Sequence, residues 1–217
     1  MAIGRRLFVQ SPRADLGGEV AVENLLHVLP DVQRVEHLHV GEAVEKDDAF
    51  DELVGVLLDI ARFRGVKWMQ DGESISNDEL DKCAKEQNVE IRKGDFVIVR
   101  TGQMERCHAE GDWGSYAGGD APGVKFENCY WCQDKQIAAI CTDTWGVEVR
   151  PNETGDANQP WHWVVIPAMG LCMGEIFCLK ELAEDCHEDG VYEFFFCGPP
   201  LIITGGTGSP INPQAIK

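Results

Sequence analysis

The fold is decided by one almost unbroken apolar run, Val54-Gly55-Val56-Leu57-Leu58-Asp59-Ile60-Ala61. A run without polar alternation is typical of a strand that is buried on both faces, as in a parallel sheet covered by helices. Similar short runs predict three further strands, at 96–100, 137–141 and 191–197. We therefore expect residues 53–217 to form one α/β domain with a mixed sheet and with these four strands in its core.

The segments between these strands contain signals for helices and loops. Ser76-Asn77-Asp78-Glu79 has the form of a capping box, and apolar residues follow it at helical spacing, which predicts a helix near 77–88. Other segments are assigned in the same way: helices at 126–136, at 161–169 and around 179–186, a long loop at 102–123, and a late strand at 201–204. Residues 1–52 contain no clear periodic element and are treated as a divergent or truncated N-terminal segment.

Composition excludes several classes of function. The chain is 44% hydrophobic and 26% charged, as expected for a globular protein, and its net charge is −18. This acidity argues against binding to nucleic acids and to anionic membranes, both of which attract Lys and Arg clusters. No apolar run approaches the roughly 20 residues of a membrane span, and no signal peptide is evident, so we expect a cytoplasmic protein. Its nine cysteines are then expected to be reduced thiols.

Three groups of short segments together resemble the metal-dependent cyclase family of hydrolases, which includes kynurenine formamidase and isatin hydrolase. The first group is Leu57–Arg62, Gly65-Val66, Trp68, Gly94-Asp95 and Arg100-Thr101-Gly102. The second is Thr142–Glu148, and the third is Gly170-Leu171, Gly174-Glu175 and Gly205–Pro210. The resemblance covers roughly residues 53 to 217.

The resemblance implies a swivelling β/β/α-type fold and the hydrolysis of an amide, cyclic amide or lactone. In that family a divalent metal activates a water molecule and polarises the scissile carbonyl. The cofactor implied is Zn or Mn, and the partner implied is a small-molecule substrate, for which an aromatic compound, as in tryptophan catabolism, is one option. The family also implies a homodimer or a larger assembly.

The sequence departs from the family at its principal metal-binding motif. A His-x-x-x-His-x-Asp stretch normally supplies the main ligands, and it is absent from this sequence. The histidines before residue 53 are His27, His37 and His39. His37 and His39 would share one face of a strand and could offer two ligands, but no Asp follows at the family's interval, so exposed histidines in an acidic segment are the favoured explanation. The resemblance therefore implies weak metal binding or none, and a family member that binds without catalysis is the alternative function.

His162 and Glu175 match a later histidine and glutamate that complete the metal site in some family members. An imidazole nitrogen and a carboxylate are suitable metal ligands, but His162 could equally be a packed histidine between Trp161 and Trp163. Asp143 follows a predicted buried strand and is expected near the site. Capping a helix or closing a turn is the open alternative for Asp143.

Other motifs in the sequence do not indicate a different chemistry. The pair Cys129 and Cys132 has CxxC spacing but lacks the further ligands of a zinc site, so ordinary thiols are favoured. The stretch Gly205–Pro210 lacks the Gly-Lys-Ser/Thr ending of a phosphate-binding loop. A Gly-x-Ser-x-Gly nucleophile motif does not occur.

Overall fold

The computed structural model describes residues 6–8 and 54–217 of the chain. Its strands are β1 (Arg6–Phe8), β2 (Val54–Asp59), β3 (Ser74–Ile75), β4 (Phe96–Arg100), β5 (Gly123–Val124), β6 (Ala139–Thr142), β7 (Cys172–Gly174), β8 (Glu193–Cys197) and β9 (Gln214–Ile216). Its helices are α1 (Ile60–Phe63), α2 (Asn77–Glu86), α3 (Gln103–Glu110), α4 (Asn128–Lys135), α5 (Pro160–Val165) and α6 (Lys180–Asp189).

Seven strands form one mixed sheet in the order β1-β9-β8-β2-β4-β6-β7. The four neighbours β2, β4, β6 and β7 are parallel, whereas β8 is antiparallel to β2, β9 to β8 and β1 to β9. Strands β3 and β5 pair separately as a small parallel sheet. The expectation of a single α/β domain with a mixed sheet is therefore confirmed, and all four predicted strands lie in the main sheet.

Burial on both faces explains why the central strands are continuously apolar. In β2, Val56 and Leu58 belong to one core cluster while Leu57 belongs to another. Strand β4 alternates in the same way, with Val97 and Val99 on one side and Ile98 on the other. Helix α2 covers the first face and α6 the second, so the central sheet lies between helices as parallel sheets require.

The helix that the capping box predicts is present, but only half of the box is formed. The backbone N–H of Glu79 donates to Ser76 Oγ over 3.2 Å, which caps α2. The carboxylate of Glu79 does not reach back to Ser76. It accepts instead from the guanidinium of Arg64 at 2.5 and 2.8 Å. This ion pair ties α2 to the end of α1.

Two sequence-based assignments differ from the structure. The segment 102–123 is not one long loop, because α3 occupies Gln103–Glu110 and buries Met104 and Cys107. Its glycines flank the helix: Gly102 and Gly111 have positive φ angles and mark the two helix ends. The predicted strand at 201–204 is absent, since this apolar stretch finds no partner strand among the described residues and Ile202 is fully exposed.

Among the helices that the structure describes, none is long and apolar enough to cross a membrane.

A buried ion pair joins the carboxyl ends of the two central strands. Arg100 donates to Asp59 over 2.5 Å and to Glu105 over 2.7 Å, and these side chains are 6%, 1% and 10% exposed. Arg62 adds a contact to the second oxygen of Asp59 at 3.0 Å. Charges buried this deeply are tolerated only when each has a partner, so the network depends on its central guanidinium.

The substitution Arg100→Met should therefore leave Glu105 buried without a cation and leave Asp59 with only its contact to Arg62. We expect the free energy of unfolding, measured by urea denaturation, to fall by about 3–5 kcal/mol. The matched control is Lys82→Met, which removes the exposed contact between Lys82 and Asp78 and should cost less than about 1 kcal/mol. Equal effects of the two substitutions would show that the buried network does not stabilise the fold.

Candidate functional site

The candidate site lies where the parallel strands end. In the sheet register, Asp59 is opposite Arg100, Val99 is opposite Thr142, and Cys141 is opposite Gly174. The segments that follow these strands therefore leave the sheet at one edge, the edge at which open α/β folds bind their ligands. Two of the polar residues singled out in the sequence, Asp143 and Glu175, belong to these segments.

The structure brings His162 and Glu175 together. The Nε2 atom of His162 lies 3.2 Å from Glu175 Oε1. Two backbone hydrogen bonds hold the Glu175 segment against the end of β6, from Ile176 N–H to Thr144 O at 2.9 Å and from Phe177 N–H to Thr142 O at 3.0 Å. The two residues that the sequence selected thus share one site, while their role as metal ligands stays a prediction.

Gly174 precedes Glu175 and permits close packing at the last strand of the sheet. A Cβ atom at this position would lie 2.6 Å from Cys141 Sγ and 2.6 Å from a ring carbon of Phe177. Such contacts are much shorter than van der Waals packing allows. Strand β7 can therefore approach β6 closely because residue 174 has no side chain. This close approach determines the position of the next residue, Glu175.

Glu148 is a site residue that the sequence analysis did not single out. Its Oε1 lies 2.6 Å from His162 Nδ1, and its side chain is only 4% exposed. A charged residue between Val147 and Val149, both buried, was the available signal, because a carboxylate in an apolar stretch needs a specific partner. The imidazole of His162 therefore lies between two carboxylates, one at each ring nitrogen.

The two carboxylates determine the charge of the His162 ring. Burial acts to lower the pKa of His162, but hydrogen bonds and charge interactions with Glu148 and Glu175 outweigh burial and raise this pKa to about 9. Without a metal, the ring is therefore a cation at neutral pH. A metal that binds at Nε2 has to displace the proton there, as metal binding to histidine generally does.

Asp143 points its carboxylate at the corner between β4 and α3. Its Oδ1 accepts from the backbone N–H and the hydroxyl of Thr101, both at 2.8 Å, and its Oδ2 accepts from Gly102 N–H at 2.6 Å. Complete burial raises the pKa of Asp143 to about 6, against the opposing effect of these hydrogen bonds and of Arg100. These contacts match the capping alternative, and a direct part for Asp143 in chemistry stays a prediction.

The donor atoms present fit a divalent metal as two of its ligands. Ligand atoms that each lie about 2.0–2.2 Å from one metal are about 3–4 Å apart, and the separation of 3.2 Å between His162 Nε2 and Glu175 Oε1 is in this range. Within residues 54–217, however, no three His, Cys, Asp or Glu side chains converge on one metal position. His27, His37 and His39, the other candidate ligands, lie outside the described residues.

A cavity of about 340 Å³ lies beside this sheet edge. Its walls include Trp68, Trp113 and Tyr116, with Arg106 among the polar lining residues. Tyr116 connects the cavity to the site, because its hydroxyl donates to the backbone oxygen of Asp143 over 2.7 Å. His162 and Glu175 do not line the cavity, so the cavity and the paired donors are adjacent features with separate walls.

The cysteines of the CxxC pair are buried on α4. Burial raises the pKa of Cys129 to about 11 and that of Cys132 to about 12. A thiol with so high a pKa is a poor nucleophile at neutral pH. Their environment therefore agrees with the interpretation of ordinary packed thiols.

Part of the chain matches a known protein family. The Cyclase family model, described as "Putative cyclase", matches residues 22–149. The match begins within the segment that the sequence analysis treats as divergent, and it ends before His162 and Glu175. None of the curated proteins matches the chain.

Several solved structures share the fold. A protein described as a novel cyclase is 32% identical, with a TM-score of 0.68 over 76% of this chain and 53% of that one. An isatin hydrolase bound to the product analogue thioisatinate is 20% identical, with a TM-score of 0.57 over 77% of this chain and 61% of that one. A predicted metal-dependent hydrolase from Bacillus stearothermophilus is 20% identical, with a TM-score of 0.52 over 83% and 72%.

The chain spans 53% of the length of the first of these structures and 61% of the length of the second. The two hydrolase structures, at 20% identity, bear on the fold alone. The family model, in contrast, covers more than half of the chain. The chain belongs to the cyclase family.

Proposed function

We propose that the protein is a metal-dependent hydrolase that acts on an amide, cyclic amide or lactone. The observation that carries the proposal is the pair His162 Nε2 and Glu175 Oε1, 3.2 Å apart at the ligand-binding edge of the sheet. The family membership also supports the proposal, as does the likeness of the fold to an isatin hydrolase and to a predicted metal-dependent hydrolase.

In this proposal, His162 and Glu175 hold a Zn²⁺ or Mn²⁺ ion. When bound, the metal lowers the pKa of a water ligand and polarises the substrate carbonyl. Glu175 is 33% exposed, so its carboxylate is accessible to solvent and substrate, whereas Glu148 is enclosed and serves the ring of His162. The described residues supply two donors, so water or residues outside the described ranges complete the metal's coordination.

Titration of the metal-free full chain with Zn²⁺ or Mn²⁺ in a calorimeter tests this proposal. We expect binding of one ion. The loss of a residue that only supports a metal ligand typically weakens binding about 10–100-fold, and we expect His162→Ala and Glu175→Gln to weaken it by more than this. Glu181→Gln, an exposed change on α6, is the control for lost charge and should bind like the wild type. Affinity that is equal in all four proteins would exclude His162 and Glu175 as ligands.

Hydrolysis is measured on the same preparations with isatin and with an aromatic formamide. We expect turnover that a chelator abolishes and that added metal restores, because the metal activates the water. Turnover that persists in the chelator and in His162→Ala would contradict the proposal.

A binding protein without catalysis is the second candidate. Two observations favour it: only two donors converge among the described residues, and both ring nitrogens of His162 already contact a carboxylate. This arrangement needs no metal to balance its charge, because the cationic ring of His162 neutralises part of the negative charge of the two carboxylates. Stoichiometric metal with rapid hydrolysis would exclude this candidate, whereas metal-independent binding of the same aromatic compounds would support it.

We propose that the substrate is aromatic and occupies the cavity beside the site. Trp113 is 42% exposed on the cavity wall and packs edge-on against Tyr116 with ring centroids 5.2 Å apart. An aromatic substrate would gain stacking contacts with such a wall, of about 0.5–1.5 kcal/mol for each ring pair.

The substitution Trp113→Ala should therefore raise the KM for an aromatic substrate about 2- to 12-fold, which is that stacking energy expressed as a ratio, and leave kcat nearly unchanged. Tyr130→Ala is the matched control, because Tyr130 is 69% exposed on α4 and does not line the cavity. Steady-state kinetics of both variants gives the comparison. An unchanged KM for Trp113→Ala would place the substrate elsewhere.

A further inference from the structure

We infer that Glu148 is a positioning residue that fixes the ring of His162 with Nδ1 turned inward and Nε2 turned toward Glu175. The role of Nε2 as a metal donor rests on the proposed function, but the orientation of the ring does not. The contacts of the buried Glu148 carboxylate hold both this carboxylate and the His162 ring in one orientation.

Glu148 is anchored through both of its oxygens. Oε1 accepts from the backbone N–H of His162 at 3.2 Å as well as contacting His162 Nδ1 at 2.6 Å. Oε2 accepts from Asn152 Nδ2 at 2.9 Å and from Trp161 N–H at 3.4 Å. The carboxylate therefore binds the start of α5 and the side chain of His162 at once, and it cannot turn toward the open side of the site without losing these bonds.

The surroundings of the ring reinforce this orientation. Trp161 is fully buried and packs edge-on against the His162 ring, with centroids 5.3 Å apart and an interplanar angle of 77°. A ring flip would turn a C–H group toward Glu148 and another toward Glu175, so the contacts of both ring nitrogens would be lost. The flipped ring is therefore disfavoured, because a buried carboxylate is stable only when its hydrogen-bond donors are in place.

The orientation decides which nitrogen is available to a ligand. The shorter contact, 2.6 Å, joins Nδ1 to the more deeply buried carboxylate, so the Nδ1 proton is the one that the protein retains. Nε2 faces the more exposed Glu175 at 3.2 Å. A carboxylate behind a histidine in this way fixes its tautomer and increases its basicity as a metal ligand. Glu148 itself touches neither metal nor substrate in this arrangement.

The orientation is tested by nuclear magnetic resonance of the metal-free full chain with nitrogen-15-labelled histidine. The His162 signals are identified as those missing from His162→Asn. We expect a slowly exchanging, low-field Nδ1 proton in the wild type, as a short charge-assisted hydrogen bond produces. Glu148→Gln should remove this signal, and Glu175→Gln should keep it. The absence of a protected Nδ1 proton on His162 in the wild type overturns the inference. This measurement does not depend on whether Glu148→Gln folds.

The consequence for binding is tested by titration with Zn²⁺. Glu148→Gln keeps an oxygen for the N–H groups of α5 but loses the charge behind the ring, and we expect it to weaken Zn²⁺ binding about 10–100-fold. In zinc-loaded wild type, the metal should be bound through Nε2 with the Nδ1 proton retained. Binding through Nδ1, or unchanged affinity in Glu148→Gln, overturns the inference.

The two experiments separate this inference from the proposed function. A protected Nδ1 proton in a wild type that binds no Zn²⁺ would refute the proposed metal site and support the position of the ring. Zinc binding that depends on His162 and Glu175 but not on Glu148 would support the metal site and overturn the positioning role.

Discussion

The parallel alignment of four strands is the constraint on which the site depends. Parallel neighbours end at one edge of a sheet, and the polar side chains that follow them must then be accommodated close together. Specific ionic or hydrogen-bonded contacts stabilise the ends of three of these strands, β2, β4 and β6. Arg100 joins the ends of β2 and β4, Asp143 ties the end of β6 to the start of α3, and Glu148 ties the same segment to α5.

These contacts share one electrostatic logic. Carboxylates concentrate at this edge, and each buried one is opposed either by a cation, such as Arg100, or by several N–H and O–H donors. The His162 ring fits the same rule, because Glu148 and Glu175 together favour its positive form. A divalent metal at Nε2 would supply positive charge in place of the ring's proton.

Much of the fold could be predicted because it depends on local pattern. The run at 54–61 could only be accommodated between two layers of helices, and Ser76 marked the start of α2. The prediction was wrong where apolar content or glycine had another cause. Ile202 is apolar but unpaired among the described residues, and Gly102 begins a helix instead of a loop.

The site was predictable only in part, for a different physical reason. His162 and Glu175 are chemically conspicuous and matched a family motif, so they could be selected before their contact was known. Asp143 could be selected because it follows a predicted buried strand, but its partners could not, since it is about forty residues from the backbone groups it accepts from. Glu148 was not selected, because its contact is with a histidine fourteen residues away. No spacing rule in a single sequence connects such residues.

Gly174 has a consequence for how this protein could be altered. The spacing between the two candidate donors is controlled by how closely β7 rests on β6, and that approach depends on the room for the Cys141 thiol and the Phe177 ring. The geometry at Glu175 is therefore tuned from the hydrophobic interior. Natural variation in the bulk of these interior side chains would change the separation of His162 and Glu175 without changing either residue, an effect that a comparison limited to the surface of the site would miss.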